Sequence, residues 1–385
     1  MRRLLLLASA MIFFDVAFFA AIAPLLPGYV DDLGLSKAQA GVLSASYAAG
    51  TLIASLPAGF VASRFGPRRT VIVGLLLLGV SSLVFGQVDQ INLLDAARFT
   101  QGAAGALIWS GALTWLITTA PEENRGSVIG TALGTAVAGA LLGPALGALA
   151  ATVGTGLVFG SVLIITLLLA LGASRLPESA APERQSLREV TATMLSRPVL
   201  DAAAFVAVPS VMFGAIEVLV PLRIDALGGG HGVIAAGFIA GAGLEAILAP
   251  LAGRYSDRVG RRAPYVAGLS ICAVAMVAIA LAQTLGAVLA ALIVTSLGAG
   301  LCFAPALTLI SDIAESSRLH QGFAAGLSNM AWASGQVIGG IGGGVVASLT
   351  GNALPSIAIA VLLLVTVVYA FRTMSTPPTS QPVEA

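Results

Sequence analysis

The chain has 385 residues, of which 57% are hydrophobic and 10% charged, and its formal net charge is +1. A globular domain carries about a quarter charged residues, so water is excluded as the main solvent and a lipid bilayer is implied instead. So balanced a charge implies no nucleic acid partner.

At about 20 residues per span, twelve membrane helices are predicted, at 4–27, 38–60, 70–88, 92–118, 127–151, 155–174, 200–222, 233–253, 263–283, 285–311, 322–349 and 353–371. The first shares features with a secretory signal, because Arg2-Arg3 precedes an apolar run and Ala21-Ile22-Ala23 looks like a small-residue cleavage site. Asp15 interrupts that run, however, and Pro24 would follow the scissile bond, so a membrane span is the expected reading.

The second and eighth spans lead into the same sequence. Gly59-Phe60-Val61-Ala62-Ser63-Arg64-Phe65-Gly66-Pro67-Arg68-Arg69 returns as Gly253-Arg254-Tyr255-Ser256-Asp257-Arg258-Val259-Gly260-Arg261-Arg262. A second echo runs from Glu122-Glu123-Asn124-Arg125-Gly126 into Gly130, and from Glu315-Ser316-Ser317-Arg318 through Gly322 into Gly326. Repeats this far apart describe two similar halves, 1–174 and 198–372, rather than a solenoid. Between them, 175–197 changes texture, with Pro177, Glu178, Pro182, Glu183 and Glu189 among arginines, and reads as a cytoplasmic linker. Leu187, Val190, Met194 and Leu195 recur there at helical spacing, as in a short helix lying on the inner membrane surface. The tail 373–385, with Pro377, Pro378 and Pro382, is expected to be disordered.

Basic residues set the orientation. With a cytoplasmic N-terminus, the inner loops and tails hold Arg2, Arg3, Arg64, Arg68, Arg69, Arg125, Arg175, Arg184, Arg188, Arg197, Arg254, Arg258, Arg261, Arg262, Arg318 and Arg372. The outer loops hold only Lys37 and Arg223. That bias predicts both termini inside and an even number of spans.

Charges inside hydrocarbon are costly and usually face a partner or a water-filled path. Asp15 lies about 16 Å into a core about 30 Å thick, near the midplane. Asp95 and Arg98 fall in the outer part of span 4, Glu217 in the outer half of span 7 and Glu245 in the middle of span 8. Spans 3, 6, 9 and 12 carry no charge. Asp15 is the first candidate for exchanging a proton or attracting a cation. For Arg98 two readings stand: a local pair with Asp95 three residues earlier, or an approach to Asp15. Glu217, near the outer mouth, reads as either solvated or functional, and Glu245 as functional. Phe14, Phe18, Trp109, Trp115, Met212, Phe213, Phe303, Asn329, Trp332 and Gln336 offer an apolar pocket with a few polar handles, the usual make-up of a small-molecule site.

Glycines form stripes in spans 5 and 11, at Gly126, Gly130, Gly134, Gly139, Gly143 and Gly147, and at Gly335, Gly339 and Gly343. Such stripes let another helix backbone come close, and their place in equivalent helices suggests an interface at which the halves rock. Pro144 removes a backbone bond within span 5. Enzymatic readings find no support. Lys37 is the sole lysine, so no Gly-x-x-x-x-Gly-Lys-Ser/Thr phosphate loop exists, and there is no Gly-x-Ser-x-Gly elbow. His231 and His320 fall in or near loops, and Cys272 and Cys302 lack metal-like spacing and read as small apolar packers. No metal or cofactor is expected.

Twelve spans, a charged central loop and the repeated Gly-x-x-x-Asp-Arg-x-Gly-Arg-Arg sequence resemble the major facilitator superfamily over nearly the whole chain. Arg98-Phe99-Thr100-Gln101-Gly102-Ala103-Ala104-Gly105 resembles its second motif, and Gly139-Ala140-Leu141-Leu142-Gly143-Pro144-Ala145-Leu146-Gly147 the signature of its twelve-span drug:proton antiporters. The resemblance implies an all-α membrane protein of twelve transmembrane helices in two six-helix pseudo-symmetric halves. It implies helices 1, 4, 7 and 10 around a cavity, which agrees with the uncharged spans 3, 6, 9 and 12. It also implies that the repeated loop gates the inner side, with Asp257 meeting the start of span 5 when that side is closed; the first copy has Ser63 there, and Pro67 where the second has Arg261. The expected function is proton-coupled efflux of small apolar or cationic compounds from a monomer in a bacterial inner membrane. A metabolite symporter or facilitator and a transport-inactive sensor remain as alternatives.

Overall fold

The repeated glycine makes the same bend twice. Gly66 has φ 91° and ψ 149°, and Gly260 has φ 90° and ψ 160°, a backbone that a side chain rarely tolerates. Each ends a long helix, and the next begins within two residues. The computed structural model describes residues 1–121, 125–179, 187–316 and 321–374. The echoes at 122–124 and 317–318, His320, linker residues 180–186 and the tail from 375 lie outside the described residues.

The described residues are nearly all helical, with no strand. The first span is two helices, α1 (Arg2–Ala20) and α2 (Ile22–Leu33). Pro24 has no N–H to return to Ala20, and the ladder is interrupted there. Spans 2 to 6 are α3 (Lys37–Phe65), α4 (Pro67–Gln87), α5 (Ile91–Thr119), α6 (Arg125–Val153) and α7 (Thr155–Ser174). A short helix α8 (Leu187–Met194) precedes α9 (Arg197–Ala226), α10 (His231–Val259), α11 (Arg262–Leu281), α12 (Leu285–Ser316), α13 (Gln321–Thr350) and α14 (Ala353–Thr373). Among the described residues, eleven spans are long and apolar enough to cross a membrane. The remaining long helix, α13, is diluted by glycines and by Ser328, Asn329, Ser334 and Gln336. Helices α3 and α10 run past their predicted ends, so Ser63, Arg64, Asp257 and Arg258 are helical rather than loop residues.

Two hydrophobic cores form, one centred on α1 to α7 and one on α9 to α14. Within the first, α1 packs on α6, α3 on α5, and α4 on both α5 and α7; within the second, α9 packs on α13, and α12 on α10 and α11. The cores meet along two seams, α3 against α13 and α6 against α10.

The glycine stripes do different work from the expected rocking interface. A Cβ at Gly139, Gly143 or Gly147 would strike the backbone of α1 and the break at Ala21, inside the first half. One at Gly335 or Gly339 would strike the backbone of α9, and Gly343 also faces α9, inside the second half. The seam between halves uses the other face of α13, where Gly340 and Gly344 meet Gly41 of α3. Spacing announces a close approach but not the partner, and here both stripes bind the halves internally.

Candidate functional site

Asp15 is 1% exposed, midway along the first span. Its neighbours come from a crossing of α3 and α5 built on glycine: Gly50 lies against the carbonyl of Phe99, and Gly102 against that of Tyr47. Thr51 Oγ1 fastens the crossing by donating to the Gly102 carbonyl at 3.1 Å. This brings Tyr47 and Trp109 to Asp15. The Tyr47 hydroxyl donates to Oδ1 at 2.9 Å and Trp109 Nε1 donates to Oδ2 at 3.1 Å. Gly105 clears the space, since a Cβ there would fall 2.5 Å from the Tyr47 hydroxyl and 2.9 Å from Asp15 Oδ1.

The chemistry follows from the donors. An ionised carboxylate accepts on both oxygens, as this geometry allows, whereas a protonated one has an O–H of its own to place. Gaining a proton at Asp15 therefore adds a donor that must find its own partner and weakens the bonds that tie α1 to α3 and α5.

Arg98 is 1% exposed and makes neither of the two contacts open to it from sequence. Among the described residues no ion pair joins it to Asp95, and none to Asp15. Instead Nη1 donates to the Phe18 carbonyl at 3.4 Å and to Gln101 Oε1 at 3.1 Å, and Nη2 donates to the Phe19 carbonyl at 3.3 Å. Those carbonyls end α1, where the break weakens the ladder and leaves partial negative charge. The guanidinium also lies 5.2 Å from the Tyr47 ring centre and 5.9 Å from that of Phe85, within cation–π range. Its charge faces both Asp15 and Glu217 without touching either.

This arrangement separates Arg98→Lys from Asp95→Asn. Lysine keeps the charge but cannot span two carbonyls with a planar fork, and a charged hydrogen bond lost here costs about 1.5–3 kcal/mol. Arg98→Lys is expected to lose most transport and Asp95→Asn to keep it. Vesicle flux normalised to folded protein checks both, and equal losses would restore the local pair.

Glu217 is half-buried rather than solvated. Its carboxylate lies close to Gln336 of α13 and Ser44 of α3, so it sits on the seam between the halves. Glu245 lies on α10 against Gly300 of α12, with no hydrogen-bond partner among the described residues. The aromatic candidates divide. Trp109 holds Asp15; Phe213 and Phe303 meet edge to face at 5.3 Å; Trp332 meets Phe19 at 5.4 Å across the halves. Phe14 meets Phe13 edge to face at 5.2 Å, and Asn329 and Gln336 lie on the same helix as Trp332. Phe18 and Met212, at 3% and 0% exposure, are core side chains, and Trp115, at 1%, lies beside the start of α1 and the end of α7. Tyr47 and Phe19 were missed from sequence; Tyr47 carried a faint signal as the lone tyrosine among small residues of its span.

The repeated motif differs between halves. Arg68 donates to the Leu176 carbonyl at 2.9 Å and pairs with Glu178 at 3.1 Å, while Arg69 is 4.0 Å from Glu178. Ser63 turns back on its own helix, donating to the Phe60 carbonyl at 2.9 Å. In the second copy Asp257 pairs with Arg261 at 2.6 Å, and Arg261 with Asp312 at 3.2 Å. Arg64 lies over Phe65 and Arg262 over Phe371. No hydrogen bond or ion pair joins Asp257 to α6 among the described residues, and Gly130, Gly134 and Gly253 face open space.

Polar contacts also cross the halves at the end of the bundle remote from the repeated motif, where Lys37 Nζ donates to Asn352 Oδ1 at 2.6 Å and His231 Nδ1 lies 2.6 Å from the Pro24 carbonyl. His231 is therefore a cross-half contact, not loop polarity.

The family model of the Major Facilitator Superfamily matches residues 5–247 and 232–385. A 125-residue stretch is 30% identical to the "Uncharacterized MFS-type transporter C18.02" of Schizosaccharomyces pombe, covering 31% of this chain and 28% of that protein. Over 109 residues the chain is 27% identical to the "Quinolone resistance protein NorA" of Staphylococcus aureus, covering 28% of each. Over 106 residues it is 31% identical to "Multidrug resistance protein 2" of Bacillus subtilis, covering 27% of this chain and 26% of that one. Each match thus spans under a third of the relative. Among solved structures, a D-xylose-proton symporter superposes with TM-score 0.75 at 16% identity over 97% of both chains. A bacterial homolog of the human lysosomal transporter Spinster, inward-facing and unoccupied, does so with TM-score 0.78 at 12% identity over 96% of both.

Proposed function

The chain belongs to the major facilitator superfamily, a family of membrane transporters rather than enzymes, and from that premise we propose that it exports small apolar or cationic compounds in exchange for protons. The observation that carries this reading is Asp15, a buried carboxylate held by donors from two other helices and by no cation. It has two ligand states, proton or cation, and each changes how α1 is tied to α3 and α5. Similarity to NorA and to Multidrug resistance protein 2 supports efflux of organic compounds. The symporter likeness carries the fold and no direction of transport. Alternating access would then rock the halves about the α3–α13 and α6–α10 seams. The protein is multi-pass, and we place it in a bacterial inner membrane, monomeric, with both termini inside.

The test begins with a thermal-stability screen of purified protein against hydrophobic cations such as ethidium and tetraphenylphosphonium. Stabilisation by a cation that weakens as pH falls in wild type but is independent of pH in Asp15→Asn supports the reading. Stabilisation by sugars alone would replace it with symport of a metabolite.

The gate also yields an expectation. An acid near a helix N-terminus is worth about 0.3–1 kcal/mol, and about 1 kcal/mol shifts a two-state ratio roughly fivefold. The Asp257–Arg261 pair is exposed and contributes little of its own. Asp257→Asn should therefore raise the inward-open population, and Ser63→Asp should lower it. Cysteine labelling from each side, in a background lacking Cys272 and Cys302, reads this; unchanged labelling in both variants removes the clamp.

A further inference from the structure

A cavity of about 370 Å³ opens at the inner end of α1, α5 and α7, lined by Arg2, Arg3, Leu4, Trp115, Thr119 and Leu176. We propose that it binds the phosphate headgroup of an anionic phospholipid of the inner leaflet. Three observations converge. Arg2 and Arg3 are exposed and form no ion pair among the described residues, so two guanidinium groups are free for a phosphate, the anion their fork geometry fits. Trp115 lines the cavity, and its indole N–H makes no hydrogen bond among the described residues. That donor is open to a ligand in the cavity. The carboxylate two residues beyond Leu176, Glu178, is already paired with Arg68 and Arg69 and does not neutralise the rim.

The remaining wall decides between a lipid and a free phosphate. Leu4, Leu176 and the ring of Trp115 present apolar surface that an inorganic anion would leave unmatched. The glycerol backbone and first acyl carbons of a lipid would cover it. Basic pockets between spans on the cytoplasmic side are suited to such headgroups. Arg68 fixes the rim by donating to the Leu176 carbonyl at 2.9 Å, so the bend that follows α3 and the lipid site share one strut.

The test uses the full-length protein in neutral detergent, titrated with phosphatidylglycerol, phosphatidylcholine or inorganic phosphate. Thermal midpoint and lipid retained in native mass spectrometry are read together. Wild type should retain phosphatidylglycerol and be stabilised by it over phosphatidylcholine. The double variant Arg2→Gln/Arg3→Gln should weaken that binding about tenfold or more, and Trp115→Phe should weaken it less. Arg254→Gln/Arg372→Gln removes two exposed inner-surface arginines outside the cavity and should bind as wild type does. The proposal is overturned if Arg2→Gln/Arg3→Gln binds like wild type or if the Arg254/Arg372 pair loses as much, which would mean diffuse surface charge. Equal stabilisation by inorganic phosphate would overturn the lipid assignment in favour of a free-anion site.

Discussion

Asp15→Asn is expected to reduce proton-driven transport to the level of empty vesicles while leaving folded protein in the membrane. The amide keeps the shape of the carboxylate and one acceptor oxygen, so Tyr47, at 2.9 Å, or Trp109, at 3.1 Å, can still be satisfied. It has no proton to exchange and brings two N–H donors of its own. The second contact is therefore lost in every state, and the site can no longer change its charge. Counterflow of substrate without a pH gradient should survive, because binding and rocking need no titration. Wild-type proton-driven flux in this variant would move the coupling role to Glu217 or Glu245.

Gly102→Val should have the largest effect on stability. The Cβ at this position would occupy the place of the Tyr47 carbonyl oxygen and also meet the backbone of Thr51. Backbone cannot swing aside as a side chain can, and overpacking typically costs 1–3 kcal/mol even where rotamers can adjust. Helix association in lipid depends on such close contact, with little hydrophobic drive to replace it. The variant should lose its monodisperse peak in fluorescence-detected chromatography or melt well below wild type. Gly134→Val, on a stripe that looks the same in sequence, has open space around it and should change stability by less than about 0.5 kcal/mol. Equal damage from the two would mean that glycine is needed for the helices themselves rather than for the α3–α5 crossing.

That pair also shows what the sequence could and could not disclose. Lengths of apolar runs gave away the spans and the repeated motif gave away the two halves, because each is legible along the chain itself. The partners of a glycine stripe are not local. Gly139, Gly143 and Gly147 proved to seat the break in span 1, and Gly335, Gly339 and Gly343 to seat α9. Asp15 was legible because a charge at mid-membrane is conspicuous on its own. Tyr47 and Trp109 were not credited with holding it, since they stand 32 and 94 residues away on other helices. For Arg98 the sequence offered a pair with Asp95 or an approach to Asp15, while the fold gives its guanidinium the terminal carbonyls of α1 and leaves its charge facing Asp15. The gate motif was read as loop because its charges break the apolar run, although a helix can continue beyond hydrocarbon into the headgroup layer.

The central claim is exchange of a proton for an organic cation at Asp15. It is tested most directly by following lumenal pH with a trapped fluorescent indicator, in proteoliposomes without an imposed gradient, after addition of a cation shown to bind. The account predicts that wild-type protein moves protons against the cation and that Asp15→Asn moves none while still binding it. Proton movement in the same direction as the substrate, or equal proton movement in both proteins, would contradict it.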